Sequence, residues 1–325
     1  MREKEFIARV RAAASCGPPE GIIKGIGDDC AVLKNDAGEE LLVTADTLVE
    51  NTHFSRKYFL PHEIGFRAMA ANISDICAMG GIPRYAIACA GFPKKEKQAF
   101  IDEIFSGLIS YAENFGVSLV GGDTVRSGEL FISITLIGGA EKGKSIMRGG
   151  AGPGDSLYVT GKLGASRAGL LILQKKGRKN LNDAETLCVR KHIMPVPRYA
   201  EASVIAASGA VTSCIDISDG LINDAINLSE ESGCGFMIEK KLLPTAPEAA
   251  AVFGKKAHDF ALYGGEDFEL LFTVARGREA DFERYAALSG MRFSGIGKAV
   301  KKKEVTVKTG GKTVKPEKGK IWRHF

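Results

Sequence analysis

Five segments of this sequence read as one shape: a short apolar strand, a glycine or other small residue, then an aspartate. They are GIGDD (Asp28, Asp29), LLVTAD (Asp46), NISD (Asp75), LVGGD (Asp123) and CIDISDG (Asp216, Asp219). Loops just past strand ends are where α/β proteins place ligands. A single such aspartate says little, because Asp is a common cap and turn residue. Seven of them in five matching segments either serve as independent caps and turns or converge. If they converge, their mutual repulsion requires a cation between them. An all-oxygen donor set points to Mg2+ rather than to zinc or copper. Mg2+ held by many carboxylates in turn suggests phosphates as its remaining ligands.

The rest of the chain fits such a frame. Strand-like and helix-like segments alternate, which predicts mixed α/β architecture. The segment 41–46 reads as a strand, and Pro61 opens a helix to about Met79. Strand 85–91 is followed by an amphipathic helix over 94–116. Phe100, Ile104, Leu108, Tyr111 and Phe115 recur in it at helical spacing, and Gly116 suits its C-terminal cap. VSLVGGD and ELFISITLIGG read as strands. Beyond a Gly-rich, basic loop over 142–153 come a strand at 155–161, a helix at 165–174, a helix after Pro197 and a strand at 211–216. A helix over 218–233 is expected to take Ser218 or Asp219 as its cap. A strand at 268–276 and several short C-terminal strands complete the chain. A length of 325 residues exceeds one ordinary domain. Two domains are therefore expected, 1–145 and 146–325.

Composition narrows the partners. The net charge is +5, and much of the basic excess lies near the C-terminus, from Lys301 to Lys320. Arginine-rich or aromatic interleaving is missing there, so a solvated face is expected rather than a nucleic-acid surface. Seven dispersed cysteines, without a CxxC pair, favour reduced thiols and a cytoplasmic location. No apolar run reaches the length of a membrane span, and the N-terminus has no signal-peptide core.

Two familiar expressions are set aside. GIGDDC begins like a dinucleotide fingerprint but lacks the third glycine. Residues 138–145, GGAEKGKS, satisfy the Walker A expression, yet SIMRGGAGPGD follows where a P-loop needs a helix. Lys142 and Lys144 are expected to be solvated turn residues. His53 lies seven residues past Asp46 and is either structural or a substrate contact. Glu266 and Asp267, in YGGEDFEL, suit a pocket wall. Trp322, the only tryptophan, is either a packing anchor or a stacking surface.

GIGDDCAVL, TADTLVENTHF, NISDICAMGGIPRYAI, GGDTVR, GDSLYVTGKLG, RKHIMPVPR, IDISDGL and GGEDFEL occur in this order. Together they resemble the thiamine-monophosphate kinase family, in the superfamily of aminoimidazole ribonucleotide synthetase and selenophosphate synthetase. The resemblance implies a two-domain α/β chain with mixed sheets, a homodimer paired through the N-terminal domains, and γ-phosphate transfer from ATP to thiamine monophosphate. It implies Asp29, Asp46, Asp75, Asp123 and Asp216 as Mg2+ ligands, joined by Thr44 and by Ala45 through its carbonyl, with Asp219 holding a further Mg2+. Gly122, Asp123, Arg148 and Ser218 would contact ATP. His53, Glu266 and Trp322 would contact the thiamine substrate. Asp28 ranks below Asp29. Ala45 departs from the family's usual Thr, so a side-chain ligand there would be lost and a carbonyl ligand kept. The selenophosphate-synthetase pattern of a reactive Cys and a Lys is faintly echoed by Cys16, Gly17 and Lys24, at too short a distance from Asp29. A non-catalytic thiamine- or nucleotide-binding regulator is the alternative from another class.

Overall fold

The computed structural model describes residues 3–14, 21–35 and 38–321. Helix α1 (Glu3–Ala14) precedes a six-stranded sheet formed by β1 (Ile22–Lys24), β2 (Ala31–Lys34), β3 (Glu39–Val49), β4 (Ile82–Phe92), β5 (Ser118–Arg126) and β6 (Phe131–Glu141). Its order is β1-β2-β3-β6-β4-β5. All neighbours are antiparallel except β4 and β5, which run parallel. Helices α2 (Pro61–Ala78) and α3 (Gln98–Glu113) cover one face.

The second half holds a seven-stranded sheet of β7 (Ser156–Val159), β8 (Val211–Ile217), β9 (Gly235–Glu239), β10 (Glu269–Val274), β11 (Ser294–Val300), β12 (Val305–Thr309) and β13 (Lys312–Val314), in the order β13-β12-β9-β11-β7-β10-β8. Helices α4 (Ala165–Lys176), α5 (Asp183–Ile193), α6 (Tyr199–Ala207), α7 (Leu221–Ser232), α8 (Pro247–Phe253), α9 (Ala257–Tyr263) and α10 (Glu279–Leu288) surround it. Both sheets are mixed, as the family resemblance implies.

Local chemistry explains the elements that carry the site. Pro61 begins α2, and Glu63 in its first turn accepts the Leu60 N–H at 2.8 Å. Strand β3 alternates strictly over its middle, with Leu42, Thr44 and Asp46 on the inner side and Leu41, Val43 and Ala45 on the outer. Helix α2 crosses α3 with two glycines at the contact: a Cβ on Gly65 would lie 1.9 Å from the Ile104 carbonyl oxygen, and one on Gly107 2.0 Å from that of His62. One apolar core runs through both halves, joining Ile73 and Ile76 of α2 to Ala202 and Ile205 of α6 and Cys214 of β8. A second core lies wholly within the second half.

Three expectations are corrected. Asp75 lies within helix α2, and Asp46, Asp123 and Asp216 lie within β3, β5 and β8, rather than in loops past strand ends. β3 and β4 are each longer than the apolar runs that announce them. Helix α7 begins at Leu221 with Gly220 as its N-cap, so neither Ser218 nor Asp219 caps it. Instead Asp224, in the first turn, reaches back to accept the N–H groups of Asp219 and Gly220 at 3.1 and 3.0 Å. As expected, the Walker-like run ends β6 and turns without a helix. Its turn holds the protein's own Glu40, which accepts from Gly143 N at 2.8 Å and from Ser145 Oγ at 2.5 Å. Lys142 and Lys144 are exposed.

Candidate active site

Three aspartates from three separate elements meet at the seam between the halves. Asp29 lies in the bend between β1 and β2, Asp75 in the last turns of α2, and Asp216 near the end of β8. Their carboxylate oxygens lie within 4.8 Å of one another. Each is held by a neighbour. Thr44 Oγ1 donates to Asp75 Oδ2 at 2.5 Å. Ser74 Oγ donates to Asp216 Oδ2 at 2.7 Å, and Ser218 Oγ to Asp216 Oδ1 at 3.2 Å. Arg148 Nη2 meets Asp29 Oδ1 at 2.6 Å, while the buried Asp29 Oδ2 has no hydrogen-bond partner among the described residues. Asp28 has a different task. It accepts the Arg148 main-chain N–H at 3.1 Å and pairs with Lys24 at 3.3 Å, tying the loop after β6 to the first sheet.

The electrostatics follow from this crowding. Burial, then the charges of Asp46, Asp216 and Asp29, push the Asp75 carboxyl well above the usual range. Burial and Asp29 push Asp216 up to about 7, against the opposing pull of Ser74 and Arg148. The cysteines Cys30 and Cys214 lie beside the cluster, and burial with the neighbouring aspartates raises both thiols far above their ordinary value. They are poor nucleophiles in consequence.

The cluster forms one wall of a cavity of about 1610 Å³. Asp29, Thr44, Ala45, Asp46, Asp75, Arg148, Asp216, Ser218 and Asp219 line it, and so do His53 and Glu266. The Asp46 N–H donates to Asn72 Oδ1 at 3.1 Å, and Asp219 Oδ2 accepts from Asn223 Nδ2 at 3.0 Å. The His53 ring accepts the Val49 N–H through Nδ1 at 3.0 Å. Because Ala45 alternates with Thr44 and Asp46, its Cβ lies on the opposite face of β3. A longer side chain there would not join theirs.

The GGEDF segment becomes legible residue by residue. A Cβ on Gly265 would lie 2.5 Å from the Ser218 carbonyl oxygen, and one on Gly264 2.5 Å from that of Phe260. Glu266 and Phe268 both adopt left-handed backbone, with φ of 66° and 50°. The N–H of Glu266 donates to the Ser218 carbonyl at 2.7 Å. Asp267 turns away from the cavity and accepts Gly164 N at 2.6 Å and Ser166 N at 3.0 Å, at the start of α4. The pocket-wall expectation therefore holds for Glu266 and not for Asp267.

Two expected residues stand apart. Gly122 and Asp123 lie on β5, an edge strand exposed along nearly its whole length, and do not line the cavity. Trp322 is outside the described residues. Ile321, just before it, lines the cavity, and Lys320 there pairs with Asp259 at 3.0 Å. Sequence reading missed Arg67 and His192, both buried in the wall behind Glu266. A signal existed for Arg67: it lies eight residues before Asp75 on a helix whose other buried positions are mostly apolar or small.

Two family models cover most of the chain. Residues 27–140 match the AIR synthase related protein, N-terminal domain, and residues 152–310 match the C-terminal domain of the same group. The thiamine-monophosphate kinase of Bacillus subtilis (strain 168) is 33% identical over 305 residues, spanning 93% of each chain. That of Aquifex aeolicus (strain VF5) is 34% identical over 306 residues, again 93% of each. A solved structure described as AaThiL complexed with AMPPCP and TMP superposes with a TM-score of 0.87 at 30% identity, covering 100% of this chain and 97% of that one. The E. coli hydrogenase maturation protein HypE, at 20% identity and a TM-score of 0.70, shares the fold. With a third of its residues identical to these kinases over nearly its full length, the chain belongs to the thiamine-monophosphate kinase family.

Proposed function

We propose that the protein transfers the γ-phosphoryl group of ATP to the phosphate of thiamine monophosphate, forming thiamine diphosphate by in-line attack with several Mg2+ ions. One observation carries this reading: three carboxylates from three elements, those of Asp29 and Asp216 buried, crowd together on a cavity wall, with one buried oxygen unpartnered among the described residues. Like charges so placed are costly without a cation. The all-oxygen donor set suits Mg2+. Asp29, Asp75 and Asp216 would hold it, with Asp46, the Thr44 hydroxyl and the Ala45 carbonyl beside them and Asp219 at a further position. Bound there, Mg2+ supplies neutralisation of the facing donor and acceptor phosphates.

The residues do the remaining work. Thr44 donates its proton to Asp75, so its oxygen lone pairs stay available. Ser74 and Ser218 fix both oxygens of Asp216. Arg148, held by Asp29 at the cavity edge, is a cation placed for the nucleotide phosphates, next to Ser218. His53 and Glu266 take the thiamine end, with Trp322 expected beside them. No side chain need act as general base, because a phosphate monoester is already largely dianionic near pH 7.

The same reading makes the protein a cytoplasmic homodimer. Strand β5 leaves an open edge bearing exposed Val120 and Val125, and the outer face of the sheet shows Ile82 and Tyr85. Open apolar edges of this kind are covered in folded proteins. A second copy on this edge would bring Gly122 and Asp123 to a neighbouring site. The decisive assay incubates protein, ATP, Mg2+ and thiamine monophosphate, then detects thiamine diphosphate by fluorescence after oxidation. Absence of product removes the proposal.

A further inference from the structure

Behind Glu266 lies a group of buried polar residues that the phosphoryl-transfer chemistry does not use. Arg67 of α2 is 2% exposed, as is His192 at the end of α5. Arg67 donates through Nη1 to the main-chain carbonyl of His192 and through Nη2 to Glu266 Oε1. His192 Nδ1 lies 3.5 Å from Glu266 Oε2 and 3.1 Å from Ser166 Oγ. The Glu266 side chain is 31% exposed and lines the cavity. Its main chain is pinned independently by the Ser218 carbonyl, in a backbone conformation that few non-glycine residues take. A carboxylate fixed at both ends, with one edge left open to a cavity, is preorganised for a ligand. A purely structural ion pair would need neither the strained backbone nor the open edge.

We propose that Arg67, seated against His192, is the positioning residue that presents the Glu266 carboxylate to the cationic, amino-bearing ring end of the phosphate acceptor. This rests on the reading of Glu266 as an acceptor contact. Arg67 is itself too deeply buried to touch a ligand, so it acts through Glu266. The groups facing that carboxylate are Arg67 from α2, His192 from α5, and His53 and Tyr58 from the segment after β3. Burial raises the Glu266 carboxyl, and Arg67 leads the groups that bring it below the ordinary value. His192 stays neutral there, since burial and Arg67 push it down to about 4. Arg67 is then the main source of the charge that keeps Glu266 ionised. Acceptor recognition depends on that ionised form.

The test compares wild type with Arg67→Met and Arg67→Lys, each with and without Glu266→Gln, after folding is checked by circular dichroism. Arg67→Met is expected to raise KM for thiamine monophosphate roughly tenfold or more while KM for ATP stays within about twofold. Arg67→Lys, which keeps charge but loses the fork, should fall between. The fall of acceptor binding toward acid should begin at higher pH in Arg67→Met than in wild type. In the Glu266→Gln background neither the KM effect nor the pH shift should remain. Unchanged acceptor KM in Arg67→Lys and Arg67→Met, equal rises for both substrates, or an effect that survives Glu266→Gln would overturn the inference. If Arg67→Met does not fold, Arg67→Lys with and without Glu266→Gln decides by the same criteria. A wild type that makes no thiamine diphosphate would instead sink the functional reading on which it rests.

Discussion

Asp75 shows how a single residue is both a cost and an opportunity. Its carboxyl is crowded by Asp46, Asp216 and Asp29, and among the described residues only the Thr44 side chain is seen to donate to it. Asparagine at this position keeps the Thr44 hydrogen bond and removes one charge. Asp75→Asn should therefore raise the thermal midpoint of the metal-free protein by a few degrees, and largely abolish the further rise that Mg2+ produces in wild type. Differential scanning fluorimetry with and without Mg2+ reads both. His192 gives the pH counterpart. Its folded-state pKa of about 4 lies below the ordinary 6.5, so the unfolded chain binds the proton more readily. Lowering the pH through 6.5 hence favours unfolding, and the loss saturates below about 4. At pH 5 this amounts to about 2 kcal/mol, which His192→Gln should recover in urea titrations at pH 5 against pH 7. At this scale the convergence of Asp29, Asp75 and Asp216 was legible because each follows an apolar run in a repeated shape. Arg67 offered one signal, a charge among small and apolar helix positions, but its meaning, like that of His192, lies in Glu266, nearly 200 residues beyond Arg67.

Among the elements, α2 connects most of the site. Arg67 meets Glu266, Asn72 receives the Asp46 N–H, Ser74 orients Asp216, and Asp75 faces the cluster. The helix was legible from Pro61 and its small, apolar run. What fixes its height was not. Gly65 and Gly107 set backbone against backbone at the α2–α3 crossing, and a sequence shows glycine without its neighbour. Gly107→Ala would force the helices apart, because the new Cβ meets a carbonyl rather than a flexible side chain. A loss of at least about 2 kcal/mol is expected by urea unfolding, together with a fall in kcat as Asp75 shifts. Boundaries and caps were the weaker readings elsewhere. The start of α7 depends on Asp224 reaching back to two N–H groups. That bond forms only once the chain after β8 has turned, so propensity favoured Ser218 and Asp219 instead.

At the scale of the whole molecule the open question is what β5 faces. If Asp123 serves a neighbouring copy, two inactive variants can complement each other. Mixed dimers of Asp75→Asn and Asp123→Asn would contain one intact site, so co-expression should restore roughly a quarter of wild-type activity. If Asp123 served its own chain, every mixed site would carry a lesion and no activity would return. The order of motifs made the family legible, whereas the seam between the halves was visible only in three dimensions. Through that seam runs the core that joins α2 to α6 and β8. Its consequence is a limit on modularity. A chimera taking residues before the Gly-rich loop from one relative and the remainder from another would inherit both sheets intact. It would still mismatch Arg67 with Glu266 and Ser74 with Asp216. The two halves are separable as folding patterns and inseparable as a unit of inheritance.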